Sequence, residues 1–272
     1  MYKDFYGLRE YPFNMTPDPA FLFLGRQHRV ALDLLRYGIQ ERKGFLAITG
    51  EVGAGKTTLC RTLLGTLGAD TKTALLLNPC LSDSQVLRAI CDEFRLQPAK
   101  TTKKDLYDTL NAFLLRELAA NHIVTLIVDE AQDLKPAVLE QIRLLSNLET
   151  AKEKLLQIVL VGQPELGELL DREDLRQLKQ RIALRHHLAP LPVTEVGDYI
   201  AHRWRVAGGD GRLAWSPAAV TLIHEYSRGV PRLINVVCDK ALLAGYVAEA
   251  RVIEPAMVER AIAETEGKPV AV

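Results

Sequence analysis

The chain has 272 residues, 48% of them hydrophobic and 25% charged, with Lys plus Arg and Asp plus Glu balanced at 34 each. That length suits one large domain, or one domain with a small appendage. The zero net charge excludes a global pull toward nucleic acid or anionic membrane and leaves room for a local basic patch. Four scattered cysteines, Cys60, Cys80, Cys91 and Cys238, form no C-x-x-C pair; they read as reduced core residues of a cytosolic protein, not as a disulfide framework or metal site.

The opening "MYKDFYGLREYPF" lacks the apolar run of a signal peptide. Residues 1–25 carry seven aromatics, Tyr2, Phe5, Tyr6, Tyr11, Phe13, Phe21 and Phe23. Disordered tails are poor in aromatics, so an extended segment packed on the domain is expected. "QHRVALDLLRYGIQER" has helical spacing at Val30, Leu34, Tyr37 and Ile39. "GFLAIT" reads as a buried strand ended by Gly50, and "TTLCRTLLGTL" as the helix after it. "TALLLN" is a second strand. Ser82 is placed to cap a helix through "DSQVLRAICDEF", and "KKDLYDTLNAFLLRELAAN" is a longer amphipathic helix. "IVTLIV" is a third strand; Pro136 opens a helix at a favoured first position; "LLQIVLVG" is a fourth strand. "LRQLKQRI" is helical and "ALRHHLAPL" a fifth strand. No stretch approaches eighteen apolar residues, so no membrane span is expected.

Strands alternating with helices predict a parallel sheet covered on both faces, and near-continuous apolar strands agree. After "PLPVT" the pattern changes to helices alone: "EVGDYIAHRWRVAG", "PAAVTLIHEYS" after the cap Ser216, "PRLINVVCDKALLAGYVAEA" and "PAMVERAIAET". The expected organisation is an αβα domain over residues 1–192, with residues 1–25 packed on it, and a small all-helical domain over 193–272. "EGKPVAV" reads as a frayed tail or a cut end.

Residues 50–58, "GEVGAGKTT", match the phosphate-loop pattern G-x-x-x-x-G-K-[ST] between a strand and a helix. Gly50, Glu51, Val52, Gly53, Ala54, Gly55, Lys56, Thr57 and Thr58 are therefore the candidate nucleotide-binding residues. Glycine lets backbone N–H groups curl round phosphate oxygens, and the new helix directs its positive end at the same anion. Lys56 adds a charge near the β- and γ-phosphates, and Thr57 a hydroxyl for Mg²⁺. Asp129 and Glu130 end the third strand, where the carboxyl ends of a parallel sheet face the ligand crevice. Asp129 is expected to hold Mg²⁺ and Glu130 to polarise the attacking water, which favours hydrolysis of ATP over mere holding. The N-terminal aromatics either cover core or line the base pocket of that nucleotide.

With these motifs in hand, "VDEAQDL", "LEQIRLLSNLET", "LLQIVLVGQPEL", "LRQLKQRI" and "GVPRLINVVCDKALL" give a chain that resembles, nearly end to end, the AAA+ ATPase region of the general secretion pathway protein A family. ATPases of pilus biogenesis and of exosortase-associated loci are similar. The resemblance implies a P-loop AAA+ three-layer αβα domain with a five-stranded parallel sheet and a helical lid. It implies ATP and Mg²⁺ as cofactors and a first sensor at Gln163, which position alone marks only as a strand-end polar residue. It implies an arginine finger at Arg181, with Arg185 the alternative and a solvated basic face the bland reading, and a second sensor at Arg232. A finger acts across a subunit boundary, so a ring or filament of like chains is implied. The implied setting is cytoplasmic, at the inner face of the bacterial inner membrane, with an inner-membrane secretion or pilus assembly protein as partner. Full-length proteins of this kind continue into a transmembrane helix and a periplasmic peptidoglycan-binding domain; this sequence stops at Val272 before either, which reads as a cytoplasmic fragment or a naturally short relative. A DNA-bound regulator of the transposition target-selector type is the alternative function.

Overall fold

The structure, a computed structural model, describes residues 2–77, 82–151 and 153–268. Cys80, Asn78 at the end of "TALLLN" and the last four residues of "EGKPVAV" lie outside the described residues. In chain order the elements are α1 (Tyr2–Phe5), α2 (Arg26–Gln40), β1 (Phe45–Gly50), α3 (Lys56–Thr66), β2 (Thr71–Leu76), α4 (Asp83–Glu93), α5 (Lys103–Ala119), β3 (Ile123–Val128), α6 (Pro136–Leu145), β4 (Leu156–Gly162), α7 (Pro164–Asp171), α8 (Arg176–Arg181) and β5 (Ile182–Leu188). There follow α9 (Val193–Val206), β6 (Ala214–Trp215), α10 (Pro217–Ser227), α11 (Pro231–Val247), β7 (Val252–Ile253) and α12 (Pro255–Thr265). The chain divides into a sheet unit, residues 29–50 and 59–188, and a helical unit, residues 2–28, 51–58 and 189–268.

The sheet unit is built on five parallel strands in the order β2-β3-β4-β1-β5. Every residue of β4 is buried, as a strand flanked on both sides and covered on both faces must be. The alternation of β1 decides its two layers. Phe45 and Ala47 join the large cluster formed with α4, α5, α6 and α7. Leu46 and Ile48 point to the other face, where Gly38 of α2 lies so close that a Cβ there would stand 2.5 Å from Leu46. The helices start where the sequence marks them. Ser82 and Gln85 form a reciprocal capping box at α4, Thr102 caps α5, and Pro136 is the first residue of α6. The short helix α7 escapes the periodicity reading, because eight residues span barely two turns.

The helical unit departs from expectation twice. Residues 1–25 were expected on the sheet domain; instead Tyr2, Tyr6, Leu8, Phe13 and Phe21 are buried in one cluster with Tyr199, Trp204, Ile234, Cys238 and Leu242. The physical anchor is Arg203, whose guanidinium is buried and donates to the carbonyls of Pro12 at 2.5 Å and Asn14 at 3.0 Å and to the Tyr199 hydroxyl at 3.2 Å. A buried charge needs such partners, and only the N-terminal segment supplies these two carbonyls. Tyr2 adds a hydrogen bond to Asp239. Nor is the unit all-helical: β6 and β7 form a parallel pair of two residues each, too short for any period to show in sequence. Ser216 and Pro217 open α10 as read, with Ser216 Oγ accepting from the Ala219 N–H.

Candidate functional site

The phosphate-loop residues follow β1 directly. Gly50 closes that strand, and a Cβ there would stand 2.8 Å from the Leu188 carbonyl oxygen of β5. Gly53 and Gly55 have φ of +80° and +93°, a region costly for any residue with a Cβ. The loop closes on itself through Glu51, whose carbonyl accepts from the Ala54 N–H at 3.1 Å and from Lys56 Nζ at 3.0 Å. Lys56 is 5% exposed and begins α3, so the loop leads straight into a helix start, whose first N–H groups point out of the helix. No acid sits in that first turn to compete for an anion.

Two further groups of the helical unit reach this loop. Arg232, second residue of α11, donates its backbone N–H to the Gly53 carbonyl at 3.2 Å, and its Cβ stands 2.3 Å from where a Gly53 Cβ would be. His28, 3% exposed in the first turn of α2, has Nε2 2.9 Å from the Ala54 carbonyl oxygen. Arg232 was singled out in the sequence; His28 was not, because one histidine in an amphipathic helix carries no local signal.

In the sheet unit, β3 delivers two carboxylates. Asp129 is 2% exposed, and its N–H continues the ladder to the Leu76 carbonyl of β2 at 2.9 Å. Its Oδ1 accepts the Glu130 N–H at 3.0 Å. Glu130 holds a left-handed backbone, φ 52° and ψ 39°, an uncommon conformation for a non-glycine residue that clusters at functional sites. Its Oε2 accepts from Gln132 Nε2 at 2.8 Å and Gln163 Nε2 at 3.2 Å. Gln132 Oε1 in turn accepts the Gln163 backbone N–H at 3.0 Å. Gly162 makes this triangle fit, since a Cβ there would stand 2.7 Å from Gln132 Oε1. Glu130 and Gln163, at the ends of β3 and β4, are thus brought together. Gln132 is the partner the sequence reading passed over; its only signal is its place in the quoted "VDEAQ".

The two finger candidates are held elsewhere in the sheet unit. Arg181, last residue of α8, bonds through Nη1 to the buried Ser146 Oγ at the end of α6, and that hydroxyl donates to the Arg143 carbonyl at 2.7 Å. Arg185 Nη1 lies 3.1 Å from Asp171 Oδ1, and Lys179 Nζ 2.9 Å from the same oxygen. These two cations, Lys179 first, hold the Asp171 carboxyl below its usual range.

Two glycines in left-handed conformation, a lysine and a helix start fit a polyphosphate. Among the described residues no group of three or more His, Cys, Asp or Glu forms a metal cage. Thr57 and Asp129 are hard oxygen donors, the kind that suits a Mg²⁺ keeping most of its shell as water and phosphate oxygen.

A parallel five-stranded sheet with a phosphate loop after β1, carboxylates after β3 and a helical C-terminal part defines an AAA+ protein of the P-loop class. The family model for the AAA domain matches residues 39–170. Over 268 residues the chain is 46% identical and homologous to general secretion pathway protein A of Aeromonas hydrophila, a match covering 98% of this chain and 49% of that protein. The chain therefore spans about half the length of the curated relative it matches. Among solved structures it is similar in fold to the ORC2 protein of Aeropyrum pernix, with a TM-score of 0.69 at 18% identity over 96% of this chain and 73% of that one. The RuvB Holliday junction branch migration motor of Thermotoga maritima gives 0.59 at 20% identity over 89% and 69%. Among the described residues no helix is long and apolar enough to cross a membrane.

Proposed function

We propose that this chain is a Mg²⁺-dependent ATPase that couples binding and hydrolysis of ATP to assembly of a bacterial envelope secretion or pilus machine. The observation that carries the hydrolytic part is Glu130: a carboxylate in a left-handed turn, fixed by two amides at the carboxyl edge of the sheet from whose β1 the phosphate loop springs. A holding protein needs no such carboxylate. In this reading Lys56 and the loop N–H groups bind the β- and γ-phosphates, and Thr57 and Asp129 hold Mg²⁺, which neutralises phosphate charge when bound. Glu130 accepts a hydrogen bond from the attacking water and so polarises it, and Gln163 places that water. Arg232 couples nucleotide to the helical lid. Arg181, with Arg185 as the alternative, serves a neighbouring copy in a ring or filament.

The secretion assignment draws on the homologous protein's name and on the length of the match. The partner proposed is an inner-membrane assembly protein, met from the cytoplasmic face. Balanced charge disfavours the DNA-bound regulator, and the fold likeness to nucleic-acid motors is at an identity that carries fold alone.

The test is ATP turnover with and without Mg²⁺ in the wild type, Lys56→Ala and Glu130→Gln. Lys56→Ala is expected to lose binding, because a charge-assisted phosphate contact goes. Glu130→Gln is expected to bind ATP normally and to turn over slower by on the order of a hundredfold or more. Equal turnover by the wild type and Glu130→Gln removes Glu130 from the chemistry, and tight, salt-sensitive binding of duplex DNA by the ATP form moves the reading to the regulator.

A further inference from the structure

The phosphate loop is gripped from outside at two successive carbonyls. Arg232 N–H takes that of Gly53 and His28 takes that of Ala54. A carbonyl oxygen only accepts, so at 2.9 Å His28 Nε2 carries a proton and donates it. Among the described residues no peptide bond is cis, and across a trans peptide the C=O and the following N–H point opposite ways. Pinning the Ala54 carbonyl to the imidazole therefore turns the Gly55 N–H away from it. The left-handed φ of Gly55 completes this geometry, and the ring leaves no spare room: a Gly55 Cβ would lie 3.3 Å from Nε2.

The imidazole is itself held in place. It stands in the first turn of α2, whose opening N–H, that of Arg26, donates to Glu195 Oε1 at 3.1 Å. Glu195 belongs to the first turn of α9. Its other oxygen sits against Gly25, where a Cβ would stand 2.4 Å away. A carboxylate on a helix start is favourable both as acceptor and against the helix dipole. The linker before α9 is fixed as well, with the Leu191 N–H donating to the Gly229 carbonyl at 2.9 Å two residues before α11 begins.

Resting on the reading that this loop takes a nucleotide polyphosphate, we propose that His28 is a positioning residue: it sets the Ala54–Gly55 peptide so that the Gly55 N–H is presented to phosphate before nucleotide arrives. Glu195 fixes the imidazole that does so. The loop is pre-organised, and the ordering cost of binding is met during folding.

The experiment compares His28→Asn with His28→Gln in the full chain. Asparagine keeps a polar group on the near side of the ring position and stops short of the Ala54 carbonyl. Glutamine places its amide N–H about where Nε2 stands. His28→Asn is expected to weaken equilibrium binding of ADP and ATP alike by about tenfold, the worth of one buried hydrogen bond. It is also expected to speed amide hydrogen exchange at residues 53–57 in the absence of nucleotide, and His28→Gln is expected to restore most of both. A merely space-filling histidine would leave the asparagine and glutamine variants alike. Unchanged affinity and exchange in His28→Asn overturn the proposal. Should neither variant fold, nitrogen NMR of the wild-type imidazole decides: a protonated, hydrogen-bonded Nε2 upholds it and a bare Nε2 overturns it. The exchange and imidazole readings need no nucleotide, so they judge His28 even if Lys56→Ala and wild type prove equally unable to bind ATP, the result that would sink the proposed function instead.

Discussion

Around Glu130 three side chains share few atoms. Gln132 donates to the carboxylate and accepts from the Gln163 backbone, so it ties the end of β3 to the end of β4. Replacing it with leucine leaves the Gln163 N–H without that acceptor and the Glu130 carboxylate with one amide fewer. We expect Gln132→Leu to lower turnover by about tenfold, the scale of one lost buried hydrogen bond, with ATP affinity unchanged. Parallel binding and turnover measurements check this, and a loss of affinity with normal turnover would contradict it. Asp129, Glu130 and Lys56 were legible in sequence because each belongs to a contiguous motif whose chemistry fixes its residue types. Gln132 and His28 were not, because what makes them matter is a contact made through folding: one needs the bare Gly162 opposite, the other a helix start delivered to the loop.

At the scale of elements, β3 is anchored at the end opposite its two carboxylates. Glu117 in the last turn of α5 accepts from His122 Nδ1 at 2.8 Å and from Arg116 at 3.1 Å, across the turn that feeds β3. The His122 hydrogen bond first, then Arg116, pull its carboxyl below the ordinary glutamate range against the opposing effect of burial. A carboxyl whose folded pKa is depressed contributes stability in full above its unfolded pKa, about 4.3, and loses it as pH falls through the folded value. The thermal midpoint of Glu117→Gln should therefore lie below that of wild type at neutral pH, and the gap should close as pH falls below about 4. A gap that stays constant from neutral pH to pH 3 would refute this account. The sheet strands were readable as continuous apolar runs and the long helices because their apolar period repeats several times; α7 and the β6–β7 pair were not, because two turns or two residues offer neither.

For the whole molecule, a finger that serves a neighbour predicts sharing of sites. In the single chain Arg181 is tied to Ser146 and Arg185 to Asp171, neither to the Glu130 triangle. Arg181→Ala should bind ATP normally and hydrolyse it poorly. Mixed with Lys56→Ala it should recover part of the activity, since one copy keeps the loop and the other the arginine. Mixed oligomers verified by sedimentation that remain inactive would remove Arg181 from that role, and the same experiment on Arg185→Ala tests the alternative. The N-terminal segment shows where sequence reading stops at this scale. Seven aromatics announce a packed segment, and four of them, Tyr2, Tyr6, Phe13 and Phe21, are buried, but they carry no address; the address is the Arg203 guanidinium, which lies nearly two hundred positions along the chain.

That separation has a consequence for biosynthesis. Tyr2 and Asp239 are 237 residues apart, so the aromatic segment leaves the ribosome long before its binding surface does. At about 5–20 residues per second the wait is on the order of 10–50 s. Throughout it, Tyr2, Tyr6, Phe13 and Phe21 lack the partners from α9 and α11 that bury them in the folded chain. The segment is buried only once α9 and α11 have emerged to receive it.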